Sequence, residues 1–256
     1  MSGDLVSLRI LTVCASAADR DLLRQGAAAV SIPIDVVHAD NAKAAGGIIA
    51  GGDIDLVFID PALAAPECAA VIAAARNAEP LPPFAILTAA SQEQADELAV
   101  SAAADAIVVR PAWPLEAKGF VERCIRVRLP TRVLVVDDSA TMRSIVRKIL
   151  SASRFRLDIA EATEGVEALK QIATGKFDLA IVDYNMPGLN GIETVSEIKR
   201  QFPRLSVVMM TSTPDGAIAE RARVAGATAF LKKPFYPADL DAVLYSVFGL
   251  RVPAKR

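Results

Sequence analysis

Leu134-Val135-Val136-Asp137-Asp138-Ser139 is a strand that runs straight into charge. Three apolar residues lead into two adjacent carboxylates, and a small polar residue follows. Two neighbouring carboxylates repel and raise each other's pKa unless a cation intervenes. In an open α/β sheet, ligands bind in the crevice at the carboxyl ends of the strands. The stretch therefore reads as a buried parallel strand whose acids hold a divalent cation. Ser139 is placed to cap the helix that follows.

The bulk numbers suit such a sheet. The chain has 256 residues, 53% of them hydrophobic, with few aromatics and a net charge of −2. That length fits two domains of about 100–150 residues. A core of Ala, Val, Ile and Leu suits parallel strands covered on both faces by helices. Cys14, Cys68 and Cys124 show neither metal nor disulfide spacing, which points to reduced thiols and a cytoplasmic protein. No apolar run approaches the ~20 residues that span a membrane, so membrane insertion is not expected.

Working outward, apolar runs alternate with helical patterns. In residues 1–129 the runs are 8–13, 32–37, 55–59, 84–88 and 106–109. In residues 130–256 they are 132–136, 156–160, 178–182, 206–211 and 229–232. Such alternation indicates right-handed βαβ units and parallel sheets. One offset of 123 residues links Arg9 to Arg132, Asp60 to Asp183, Thr88 to Thr211, Pro111 to Pro234 and Pro114 to Pro237. An offset that holds from first strand to last helix means two copies of one domain. The boundary falls at 129/130, after a last helix read over Trp113–Arg128 with Phe120, Val121, Cys124 and Ile125 on one face. Gly51-Gly52-Asp53, ahead of the third strand, reads as a turn.

The strand ends of the second copy carry matched polar groups: Asp137-Asp138, Asp183, Thr211-Ser212 and Lys232-Lys233. A parallel sheet brings these ends to one edge. Three carboxylates, a hydroxyl and an ammonium around one pocket suit acyl-phosphate chemistry. Asp183 would be the nucleophile. Asp137 and Asp138 would hold Mg²⁺, a hard cation that takes oxygen ligands. Lys233 and Thr211 would bind phosphoryl oxygens.

Val135-Val136-Asp137-Asp138-Ser139-Ala140-Thr141-Met142-Arg143, Asp183-Tyr184-Asn185-Met186-Pro187-Gly188 and Lys232-Lys233-Pro234-Phe235 resemble the response-regulator receiver family, in its single-domain chemotaxis form. The resemblance implies two flavodoxin-like (βα)5 receiver domains in tandem, with parallel five-stranded sheets of order 2-1-3-4-5. It implies phosphorylation of Asp183 by a sensor histidine kinase or a histidine phosphotransfer protein. It implies Mg²⁺ held by Asp138, Asp183 and the backbone carbonyl of Asn185, with Asp137 acting through water. Lys233 matches the family lysine because it directly precedes Pro234, and Phe230 falls at the aromatic switch position.

The first copy keeps Asp60 and Thr88 but has Cys14 and Ala15 where the second has Asp137 and Asp138. Arg110 stands for Lys233, and Ile107 for Phe230. One carboxylate beside an arginine is no Mg²⁺ site, so residues 1–129 resemble a degenerate receiver in which Asp60 pairs with Arg110.

Arg143, Arg147 and Lys148 on the first helix of the second copy form a basic face, either merely solvated or a dock for the phosphohistidine donor. With no helix-turn-helix or wing after Leu250, DNA binding is not expected. The chain reads as a tandem receiver without an output domain. It would signal through phosphorylation-dependent contact with a downstream protein, with dimerisation left open. It would act as a phosphoacceptor switch rather than an enzyme with turnover. The alternatives are a phosphate sink or relay, or an aspartate-nucleophile phosphatase. The latter wants two acids separated by one residue after its first strand.

Overall fold

Fully buried strands fix the architecture. The computed structural model describes residues 7–212 and 216–253. Contacts divide the chain into two units, 1–127 with 248–256, and 128–247.

In the first unit the order is β1 (Leu8–Val13), α1 (Ala17–Ala28), β2 (Ile34–Ala39), α2 (Ala42–Ala50), β3 (Leu56–Ile59), α3 (Ala65–Arg76), β4 (Phe84–Ala89), α4 (Gln92–Ser101), β5 (Ala106–Val109) and α5 (Pro114–Ile125). The second unit repeats it: β6 (Thr131–Val136), α6 (Ala140–Ser151), β7 (Leu157–Ala162), α7 (Gly165–Thr174), β8 (Leu179–Asp183), α8 (Gly191–Gln201), β9 (Ser206–Thr211), α9 (Gly216–Val224), β10 (Ala229–Lys232) and α10 (Pro237–Val247). The sheets run β2-β1-β3-β4-β5 and β7-β6-β8-β9-β10, parallel throughout, as the 2-1-3-4-5 order requires.

Every residue of β3, β4 and β8 is buried, as expected of strands covered by helices on both faces. At the sheet edges, β2 begins and ends two residues later than its apolar run suggests, and β7 begins one and ends two residues later. They carry Asp35 and His38, and Asp158 and Glu161, on a half-buried surface, so their polarity blurs the pattern. The last helix of the first unit starts at Pro114 and stops at Ile125, with Phe120, Val121, Cys124 and Ile125 buried as read. Gly52 and Asp53 both have positive φ, 80° and 62°, which fits a turn.

One boundary differs from the reading of the sequence. The sequence boundary places the tail in the second domain, yet residues from Phe248 onward group with the first unit. Arg251 forms an antiparallel bridge with Ile107 of β5, with N···O distances of 2.8 and 3.1 Å. Arg251 also pairs with Asp96. Phe248 and Leu250 are buried, and the Arg126 guanidinium lies 6.0 Å from the Phe248 ring centroid. An apolar run too short to be a strand gave no sign of this pairing. Residues 254–256 of that tail lie outside the described residues.

Gly191 opens α8 where a side chain has no room: a Cβ there would lie 2.2 Å from the Asp183 carbonyl oxygen and 2.7 Å from the Tyr184 Cα. The start of α8 thus rests directly on the end of β8.

Two outcomes follow from this packing. Gly191→Ala forces backbone to move, so the second unit should lose about 1–3 kcal/mol in chemical denaturation. Ending the chain at Val247 removes two buried apolar side chains, each worth about 1.5–3 kcal/mol. Amide exchange should then quicken in β5 and stay unchanged in β8.

Candidate functional site

The carboxyl ends of β6, β8, β9 and β10 gather the predicted residues. Asp137 follows β6 and is 1% exposed. Its amide donates to the Ala162 carbonyl, and its Oδ1 accepts from the Ser139 amide at 2.9 Å. Ser139 caps α6, its Oγ accepting from the Met142 amide at 3.3 Å. Asp138 is exposed. Asp183 ends β8 and is buried. Thr211 ends β9 and is buried, and its carbonyl accepts from the Lys233 amide at 2.8 Å.

The Lys233 ammonium lies between two acids, 2.8 Å from Asp137 Oδ2 and 2.9 Å from Asp183 Oδ1. Asp137, Asp138 and Asp183 each offer a carboxylate oxygen, all within 4.8 Å of one another. Burial pushes the Asp183 carboxyl above the ordinary aspartate value; Lys233 draws it back and Asp137 adds to the rise. Burial alone would lower the Lys233 ammonium, but its hydrogen bonds to Asp137 and Asp183 and their charges leave it raised. Three hard oxygen donors at one corner, two of them buried, are a donor set that fits a divalent cation. Asn185 is exposed in the turn after β8, while Lys232 is exposed and takes no part. Phe230 is partly buried and packs against the apolar cluster beneath the sheet.

Two contacts add to the sequence reading. On the basic face of α6, Arg147 and Lys148 stay exposed while Arg143 is engaged internally. Arg143 donates from Nε to Glu161 Oε2 at 3.0 Å and from Nη1 to the Asp137 and Asp138 carbonyls at 2.8 and 3.3 Å. Arg147 pairs with the same Glu161 at 2.6 Å. In the first unit, Arg110 pairs with Asp60 at 3.9 Å as read, and with Asp19 more closely, at 2.6 Å. Asp19 carried no sequence signal, since its counterpart across the repeat is Met142. For Arg143 a signal existed: Arg20, its counterpart, survives in the copy that has lost the acids. The Cys14 thiol is pushed up first by burial and then by Asp60, the reverse of a reactive thiol.

Removing the ammonium while leaving both acids strands buried charge, which costs about 3–5 kcal/mol. Lys233→Met should therefore destabilise the second unit by about that much in denaturant titration. Adding Asp137→Asn to it should restore part of the loss.

Comparison with known proteins agrees with this geometry. The response regulator receiver domain family matches residues 133–245. Chemotaxis protein CheY-3 of Vibrio cholerae serotype O1 is 34% identical over 119 residues, 46% of this chain and 91% of that protein. Chemotaxis protein CheY1 of Helicobacter pylori is 36% identical over 121 residues, 46% of this chain and 97% of that protein. The crystal structure of Vibrio cholerae chemotaxis protein CheY4 aligns at 31% identity and a TM-score of 0.44, covering 46% of this chain and 99% of that one. No helix among the described residues is long and apolar enough to cross a membrane. With its strand order, its acidic corner and these relatives, the chain belongs to the response regulator receiver domain family.

Proposed function

We propose that the second unit is a phosphoacceptor switch. A carboxylate oxygen of Asp183 attacks the phosphorus of a phosphohistidine on a sensor histidine kinase or phosphotransfer protein. The O–P bond forms as the P–N bond to the donor imidazole breaks. Lys233 and Thr211 bind the transferred phosphoryl oxygens. Asp138, Asp183 and the Asn185 carbonyl would hold Mg²⁺, with Asp137 reaching it through water. The cation, when bound, offsets the charge that the phosphoryl group brings to an acidic corner. As the Thr211 hydroxyl shifts toward the phosphate, the Phe230 ring turns inward and alters the surface offered to a downstream protein. The protein catalyses no reaction beyond its own phosphorylation and dephosphorylation.

The observation that carries this reading is the ammonium held between Asp137 and Asp183, with Asp138 beside them. In the first unit, Cys14 and Ala15 occupy the acid positions and Arg110 is tied to Asp19, so Asp60 is not a phosphoacceptor.

Incubation with Mg²⁺ and a small phosphodonor should add one phosphoryl group, lost in Asp183→Asn and kept in Asp60→Asn. Label that persists in Asp183→Asn would overturn the assignment. Steady hydrolysis of phosphoesters would favour a phosphatase. A partner captured only with phosphodonor present would separate a switch from a phosphate sink or relay.

A further inference from the structure

We propose that Arg143 is a positioning residue for the acidic corner, anchored in turn by Glu161, and that it sets the corner's affinity for divalent cations. The inference rests on the proposed metal site. Arg143 touches none of the reacting groups. Its Nη1 donates to the main-chain carbonyls of Asp137 and Asp138, the two residues whose side chains form the corner with Asp183. Its Nε donates to Glu161 on β7 at 3.0 Å. Glu161 also receives Arg147, one turn farther along α6, at 2.6 Å. The hydrogen bond from Arg147 does most to hold the Glu161 carboxyl below the ordinary glutamate value, with Arg143 contributing.

In the segment between β6 and α6, Asp137 is held by the hydrogen bond from its amide to the Ala162 carbonyl, by the Ser139 amide and by the Lys233 ammonium. Asp138 is exposed, and the described hydrogen bond that reaches its carbonyl comes from Arg143. A cation that needs near-ideal octahedral geometry loses affinity when its ligands wander, and the partners that orient metal ligands typically change affinity by about 10–100-fold.

The first unit supplies an internal control. Arg20, at the same place on α1, donates to the Cys14 and Ala15 carbonyls at 3.0 Å each and pairs with Asp40 at 3.4 Å. The guanidinium clamp is thus built into both units, but only in the second does the clamped segment carry acids.

The test measures Mn²⁺ affinity of the full chain by electron paramagnetic resonance, together with thermal unfolding. Arg143→Met should weaken binding about tenfold or more. Glu161→Gln, which keeps the arginine but loosens its anchor, should weaken it less. Arg20→Met should leave it unchanged. Equal affinity in wild type and Glu161→Gln, and in any Arg143→Met that folds, would overturn the inference even if thermal midpoints fall. Absence of Mn²⁺ binding by the wild type would instead overturn the metal-site reading itself.

Discussion

Two buried carboxylates of like charge, held apart by one ammonium, are the constraint on which the second unit depends. Both Asp137 and Asp183 are buried, and burial together with the Asp137 charge raises the cost of ionising Asp183. The Lys233 ammonium answers both at once. It does so from the last strand, so the corner is complete only when the ends of β6, β8 and β10 are all in register. The chemistry is therefore tied to formation of the whole sheet rather than to a local loop.

The first unit meets the same burden differently. With Cys14 and Ala15 at the corner, only Asp60 remains of the acids, and a fixed lysine between two carboxylates is no longer needed. Arg110 instead reaches across to Asp19 on α1. A guanidinium engaged with a neighbouring helix carboxylate is a structural tie, with five donors set in a rigid fork. The fold and Asp60 are kept, while Cys14 and Ala15 stand at two acid positions and Arg110 pairs with Asp19.

Most of this architecture is legible in the sequence. Strands buried on both faces write unbroken apolar runs, so β3, β4, β8 and β9 stand out in sequence. The acids at their ends stand out by contrast, which is why Asp137, Asp138, Asp183, Thr211 and Lys233 could be placed together. What stayed hidden shares one physical cause: it depends on partners that sequence spacing does not encode. The choice of Asp19 over Asp60 by Arg110 is a matter of side-chain reach across α1. The pairing of Glu161 with Arg143 and Arg147 is likewise invisible to charge counting, which reads the face as uniformly solvated. The edge strands β2 and β7 alternate too weakly to give their limits.

The tail bridge gives the chain a particular order of completion. Residues 248–253 finish the edge of the first sheet at β5, yet they are synthesised after the entire second unit. During vectorial synthesis, domains generally fold as units from the N-terminus. Here the N-terminal unit must wait with an open strand edge while the later unit reaches its full set of elements. The unit that carries the acidic corner thus has all its elements first, and the first unit is sealed last.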